Sequence, residues 1–401
     1  MLHNRFFVTA LGTCLILFAT STLAQAREKP KASPTPDPFA IDLTPDDSAI
    51  QTNTQPAPSP PATANPVSTV VQNMNPDISV VGDFAAGNPA ALQLLGDPIS
   101  PPIKLREVEV DAAGYVSPYA KAFFVTSFGS DGADVEEGYM DFFHLPGSLD
   151  IKLGKMLADL DTLNPQHQHA YPFVDRPLAL QHTYGDEGLK AVGMNASILI
   201  PNPWDHYLLL SSTLADNPDE DQQYTFLYGG NAHSILYTAK LTSSWDLSDV
   251  SYITANATGL FAPLPDDSTT RTYEADMLFR YAPDPANYAM TLLTGIVRGQ
   301  GNPTQIAEHT DWGYYVYGGW LFSSNWKIGA RYDQTQFRAF GGQERQVSGI
   351  LTFYPTETNY VRLQYARHQY PATASAAGYW GNQIWLQVDF VIGPHQQHAA
   401  L

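Results

Sequence analysis

From residue 77 onward the chain reads as short segments in which apolar and polar residues alternate, each bounded by Gly, Pro, Asn or Asp. That is the period of a strand with one apolar and one wet face. In the last segment Ile384, Leu386, Val388 and Phe390 fall on one side, Gln383, Trp385, Gln387 and Asp389 on the other. Likewise Tyr273, Ala275, Met277, Phe279 and Tyr281 oppose Glu274, Asp276 and Arg280, and Trp326, Ile328, Ala330 and Tyr332 oppose Lys327, Arg331 and Asp333. Read this way, sixteen strands are predicted: 77–84, 103–112, 117–128, 135–145, 149–156, 189–200, 205–212, 233–244, 250–258, 270–281, 287–297, 311–322, 326–335, 346–354, 358–369 and 382–391.

A soluble sandwich would show the same period, so the connections decide. Long and short gaps alternate, and the short ones carry turn chemistry: Ala113-Gly114, Pro146-Gly147-Ser148, Pro201-Asn202-Pro203, Pro283-Asp284-Pro285, Ser323-Ser324-Asn325 and Pro355-Thr356. A transmembrane antiparallel β-barrel of about sixteen strands has this rhythm, with tight turns on the periplasmic rim and longer loops outside. Aromatics near segment ends, among them Tyr207, Trp245, Trp320, Trp326, Tyr354, Tyr360 and Trp385, are candidates for the interfacial girdles. The fold class is therefore all-β.

The N-terminal quarter is different. Arg5, an apolar run from Phe6 to Leu23 and Ala24-Gln25-Ala26 have the layout of a signal peptide over residues 1–26. After it, no apolar run approaches the ~18–20 residues of a spanning helix, so any membrane insertion must use strands. Residues 27–76 contain 11 prolines and one aromatic, Phe39, and read as a disordered Pro-rich periplasmic tether. The barrel then covers residues 77–392, and residues 393–401, with His395 and His398, form a short periplasmic tail.

Composition narrows the function. A formal net charge of -19 makes nucleic acid an unfit partner, and the acidic balance predicts a preference for cations. The single cysteine, Cys14, lies within the leader, which excludes disulfides and thiolate metal sites from the mature chain. There is no G-x-S-x-G and no H-E-x-x-H, so nothing argues for an enzyme.

Asn75-Pro76-Asp77-Ile78-Ser79-Val80, Leu105-Arg106-Glu107-Val108-Glu109-Val110, Ser117-Pro118-Tyr119 and Val135-Glu136-Glu137-Gly138-Tyr139 are distinctive runs. So is Leu163-Asn164-Pro165, leading through His167 and His169 to Pro172-Phe173-Val174-Asp175-Arg176-Pro177. Together they resemble a family of Gram-negative, porin-like outer-membrane proteins, some of which carry the label zinc-regulated TonB-dependent outer-membrane receptor. The likeness runs from about residue 75 to the end and is strongest over 103–193. It implies an outer-membrane location, assembly by the barrel-assembly machinery, and lipids and lipopolysaccharide as surroundings. TonB-dependent transporters use 22 strands around a folded plug, and this chain has room for neither. An open channel for passive diffusion of small hydrophilic solutes or ions is the expected function, with a zinc-linked receptor or metal-uptake protein as the alternative. Whether three copies form a homotrimer is left open.

In such a barrel the polar faces line the path of solutes. The expected pore-lining residues are Glu107, Glu109, Glu137, Asp141, Lys152, Arg280, Arg331 and Arg362. Acids gather on early strands and arginines on late ones, an arrangement that would set up a transverse field. The longest connection, 157–188, is expected to fold inward as a constriction loop carrying Asp159, Asp161, Asp175, Arg176, Asp186 and Glu187. His167 and His169 project together if locally extended, and with His182 or Asp175 they would offer imidazole and carboxylate ligands suited to zinc. No cofactor is required for the channel function.

Overall fold

A computed structural model describes residues 76–88, 103–129, 132–204, 206–216, 235–263, 269–301, 309–337, 342–372 and 377–394. Sixteen antiparallel strands close into a barrel. They are β1 (Asp77–Gly87), β2 (Ile103–Ser117), β3 (Ala120–Gly129), β4 (Gly132–Leu145), β5 (Leu149–Leu157), β6 (Lys190–Leu199), β7 (Tyr207–Ala215) and β8 (Leu236–Ser248), followed by β9 (Ser251–Pro263), β10 (Thr269–Asp284), β11 (Tyr288–Gly301), β12 (His309–Ser323), β13 (Trp326–Phe337), β14 (Gly342–Thr356), β15 (Asn359–Tyr370) and β16 (Tyr379–Ile392). Each strand pairs with its neighbours in sequence, and β1 pairs with β16 from Val80↔Ile392 to Gly87↔Trp385. Closure leaves no strand edge unpaired, the condition for crossing lipid with strands.

Every predicted strand is present, most of them longer than the alternation suggested. Ala113-Gly114, read as a turn, lies inside β2, where Gly114 pairs with Ala122; the chain reverses at Pro118-Tyr119 instead. Two small residues without Asn, Asp or Pro are a weak turn signal, and the long β2–β3 ladder overrides it. The leader, the tether and residues 395–401 of the tail lie outside the described residues.

Alternation sorts the side chains as the pleat requires. Leu363, Ile384, Leu386, Val388 and Phe390 point outward, while Gln364, Gln383, Gln387 and Asp389 are buried inside. Ring contacts Tyr281–Tyr288, Tyr288–Trp320 and Trp326–Phe353 build an aromatic band at the turn side of β10–β14. Two girdle candidates belong elsewhere: Trp385 and Tyr360 face the interior and are buried.

Besides irregularities next to the turns, parity fails at β-bulges within the ladders of the early strands. Between β1 and β2 the register shifts at Asp83/Phe84, and between β3 and β4 it shifts at Val125/Thr126. An extra residue in one strand re-aims its neighbours. Here Arg106 and Glu136 are the residues skipped, and both turn charged groups inward beside Glu107 and Glu137.

Residues 158–189, between β5 and β6, fold into the lumen. They contain a 3₁₀ turn (Gln168–Ala170) and one helix, α1 (Leu178–Tyr184), which packs on β11, β12 and β13. Leu160, Leu163, Phe173, Leu178, Leu180 and Tyr184 of this segment are fully buried. All of these but Leu178 join one core cluster with inward-facing Leu260, Leu278, Leu293, Val297, Tyr315 and Tyr317, so the wall of β9–β12 is apolar where the loop rests rather than aqueous. Burying each such leucine or phenylalanine contributes about 1.5–3 kcal/mol, a strong reason for the loop to stay inside.

Candidate functional site

The neck of the loop is closed by its own chain. Ala158 N donates to Leu189 O at 2.8 Å, and Asn164 spans the gap: its Nδ2 donates to Ala158 O at 2.7 Å and Leu189 O at 3.2 Å. Its Oδ1 accepts from Leu189 N and from Arg176 Nη2, both at 2.9 Å. Arg176 also donates to the Tyr171 hydroxyl at 2.7 Å. Gly188, at φ 89°, packs against Arg176 and Asn164 where a Cβ would lie within 2.7 Å of both side chains. Arg176, proposed as a constriction charge, therefore holds the loop's own shape.

From this neck the loop reaches four sectors of the wall. On β7–β10, Asp159 accepts from Lys240 Nζ at 2.5 Å and from Ser211 at 2.6 Å, Thr162 bonds Asp276, and Thr258 bonds Leu160 O. Burial would push the Asp159 carboxyl up, but Lys240 outweighs it and the group lies below its ordinary value. On β10–β13, the Tyr184 hydroxyl donates to Glu274 at 2.9 Å, and Leu178 N donates to Asp333 at 3.3 Å.

On β13–β15, Arg331 donates to the carbonyl and the carboxylate of Asp175, Gln346 donates to Asp175 Oδ2 at 2.6 Å, and Gln364 bonds Asp175 Oδ1. Burial raises the Asp175 carboxyl; the Arg331 guanidinium and the two amides more than offset this, and the net direction is downward. Three arginines from three strands serve consecutive carbonyls of the loop. Arg362 donates to Phe173 O at 3.3 Å, Arg106 to Val174 O at 3.2 Å and Arg331 to Asp175 O at 2.6 Å.

On β1–β4 the loop meets carboxylates. His167 Nε2 lies 3.0 Å from Glu137 Oε1, and its Nδ1 lies 3.1 Å from Glu109 Oε2 and 3.4 Å from Glu136 Oε2. His169 stacks on His167 with ring centroids 5.9 Å apart, its Nδ1 3.8 Å from Glu107 Oε1. Burial would lower the His167 pKa, but Glu109, Glu136 and Glu137 dominate and hold it well above its ordinary value. Lys190 at the base of β6 lies 3.3 Å from Glu136 and 2.5 Å from Glu187, and Arg106 lies 3.4 Å from Asp83.

The expected residues thus separate into groups. Glu107, Glu109 and Glu137 form the acidic wall facing His167 and His169. Asp141 lies in register with Lys121 on one side and Lys152 on the other. Arg280 and Arg362 line a cavity of about 430 Å³ on the turn side, together with Lys327, Glu357, Asp389, His169 and Tyr360. Arg331 is taken up by Asp175 and Asp333. In the loop, Asp161 Oδ1 caps the backbone N–H of Leu163 at 2.7 Å, Asp186 accepts from Gln181 at 2.7 Å, and Glu187 pairs with Lys190.

His182 does not join the other two histidines. It sits on α1, 3.2 Å from Glu344 Oε2, which His368 also approaches at 3.4 Å. Asp175 is likewise remote from them, committed to Arg331. The cause is the loop's path: it crosses the lumen between residues 169 and 175, carrying the first pair of histidines to β2–β4 and the third to β14–β15. Arg106 and Glu136 were absent from the expected set because strict alternation points them outward; only the bulges bring them in. Lys190, Lys240 and Glu344 were absent for a simpler reason, that a lone charge on a strand says nothing about which loop will reach it.

No family model matches the chain. A curated relative, an uncharacterized protein of Aquifex aeolicus (strain VF5), is 26% identical over 329 residues, covering 71% of this chain and 67% of its own length. Among solved structures, the anion-selective porin from Comamonas acidovorans superposes with a TM-score of 0.54 at 11% identity, over 80% of this chain and 99% of that one. The fold is that of the outer-membrane porins. OprB of Pseudomonas putida agrees, with a TM-score of 0.53 at 7% identity over 81% of this chain and 96% of its own. So does the outer-membrane channel DcaP of Acinetobacter baumannii, at 0.52 and 11% identity over 80% and 97%.

Proposed function

We propose that the chain is an outer-membrane channel for passive diffusion of small hydrophilic solutes or ions, with residues 158–189 as its fixed constriction. The observation that carries this reading is a porin-fold barrel whose inward loop is bonded to the wall on all sides. The apolar outer face fits lipid as its surroundings. Sixteen strands and an internal loop argue against a TonB-dependent receptor, whose plug is a folded domain in a wider barrel. None of the porin-fold structures described above bears the receptor label.

The net charge of -19 argues for cations, but the lining nearest the path argues otherwise. The turn-side cavity carries Arg280, Lys327 and Arg362 against Glu357 and Asp389. Charges within a Debye length, about 8–10 Å, outweigh those spread over loops and outer surface. A preference for small anions at this mouth is the reading that the lining supports. Single-channel recording in planar bilayers tests both parts: folded protein should give discrete conductance steps, and a salt gradient should give a reversal potential of anion sign. Folded protein that never conducts overturns the channel; a potential of cation sign overturns the selectivity.

A further inference from the structure

The junction between loop and wall at His167 has the geometry of a metal site. The His167 Nδ1 atom stands 3.1 Å from Glu109 Oε2 and 3.4 Å from Glu136 Oε2, and the three ligand atoms lie within 4.8 Å of one another. Zn²⁺ binds imidazole nitrogen and carboxylate oxygen at about 2.0–2.2 Å, so corners of its tetrahedron lie about 3.3 Å apart. The protein already holds the imidazole nitrogen at that spacing from both carboxylate oxygens.

Three further features point the same way. The Nε2–H of His167 is directed at Glu137 Oε1, 3.0 Å away, which leaves Nδ1 as the face turned toward the other two carboxylates. A carboxylate behind an imidazole is the outer partner that orients histidine ligands of zinc. Glu109 is 0% exposed; its Oε2 faces the ring nitrogens of His167 and His169 at 3.1 and 3.9 Å, and among the described residues neither of its oxygens accepts a well-directed hydrogen bond. Buried carboxylate oxygens in that state call for a cation. Finally, a cavity of about 40 Å³, lined in part by His167, Glu109 and Glu137, adjoins the cluster and has room for one water as a fourth ligand.

Charge agrees. Glu107, Glu109, Glu136 and Glu137 converge here, while Lys190 is shared with Glu187 and Arg106 is committed to Asp83 and the loop backbone. A divalent ion balances this excess better than a single proton on His167. With one nitrogen and two oxygen donors and no thiol, the set suits Zn²⁺ better than the all-oxygen preference of Ca²⁺ or Mg²⁺.

We propose that His167, Glu109 and Glu136 bind one Zn²⁺ ion, oriented by Glu137, and that the ion staples the constriction loop to the wall of β2 and β4. The inference stands apart from the channel reading, because binding is measurable whether or not the barrel conducts.

The test is calorimetric titration of Zn²⁺ into the full chain, folded in detergent and carrying no added histidines, with His395→Ala and His398→Ala made throughout. One ion per chain is expected. Glu109→Gln and His167→Gln should each weaken binding at least tenfold, and Glu137→Gln by about ten- to a hundredfold. His206→Gln, altering an exposed histidine at the turn rim, should leave the affinity unchanged. Far-ultraviolet circular dichroism of each variant verifies the barrel, and near-isosteric Glu109→Gln keeps the test alive should His167→Gln misfold. Co²⁺ in place of Zn²⁺ should give a tetrahedral visible spectrum that Glu109→Gln abolishes. Absence of saturable binding in the parent chain, or equal affinity in folded Glu109→Gln, overturns the site.

Discussion

Arg331 on β13 grips Asp175 of the loop twice, through Nη1 to the main-chain carbonyl at 2.6 Å and through Nη2 to the carboxylate at 2.9 Å. Neither side chain touches solvent to any extent, and the guanidinium also stacks over Phe173 at 4.5 Å. Removing one partner of a buried pair leaves the other charge unpaired, at a cost of about 3–5 kcal/mol. Arg331→Ala should therefore loosen the constriction, raise single-channel conductance and expose the loop to chymotrypsin after Phe173 or Tyr184. Conductance and cleavage equal to wild type would show that the apolar contacts alone hold the loop.

The same contact sets a pH dependence. Because the Asp175 carboxyl lies below its ordinary value, its pairing stabilises the loop at all pH above the normal aspartate range near 3.9. That contribution disappears as pH falls below the normal aspartate range and through the lower folded-state value. The groups around it are Arg331 and Asp333 on β13, Gln346 on β14 with His368 behind it, and Gln364 on β15. Conductance should rise on acidification. Asp175→Asn should show the larger conductance at neutral pH and lose most of the acid response.

Gly188 combines positive φ with contacts that leave no place for a Cβ. Gly188→Ala should cost about 1–3 kcal/mol. The expected signature is a lower midpoint for thermal loss of the folded band on unboiled gels, with the strand signal by circular dichroism preserved below the transition.

Leu386 faces outward near the middle of β16, beside Leu363 on β15. Leu386→Arg should destabilise the barrel by about 2–4 kcal/mol in lipid, whereas Leu386→Val should fold as wild type. Equal urea midpoints for the two variants in bilayers would place this face away from lipid.

At the turn-side cavity, Arg280→Gln with Lys327→Gln removes two of three bases. The reversal potential should move toward cations, more at 0.1 M than at 1 M salt, since screening shortens the reach of the remaining charges.

The barrel itself was legible because a period of two is a strong signal when repeated in Ile384-Trp385-Leu386-Gln387-Val388 and its counterparts. Its inward loop was legible from length. What stayed hidden depends on events that leave no periodic trace. A single skipped residue turns Glu136 inward beside Glu137, although consecutive glutamates on a regular strand must point apart. His182, written fifteen positions after His167, lies against a different wall because the chain between them crosses the lumen. Spacing along a loop does not report where its path leads.

The bond from the Tyr360 hydroxyl to His169 O, at 2.7 Å, joins residues 191 positions apart. Together with the contacts of Asp175 to β13, β14 and β15, it means that the loop cannot complete its bonding until the last strands arrive. Contacts so distant in sequence form late, after the entropy of a long chain closure has been overcome. The lumen is therefore fully narrowed only when the strands that close the barrel against β1 are also in place.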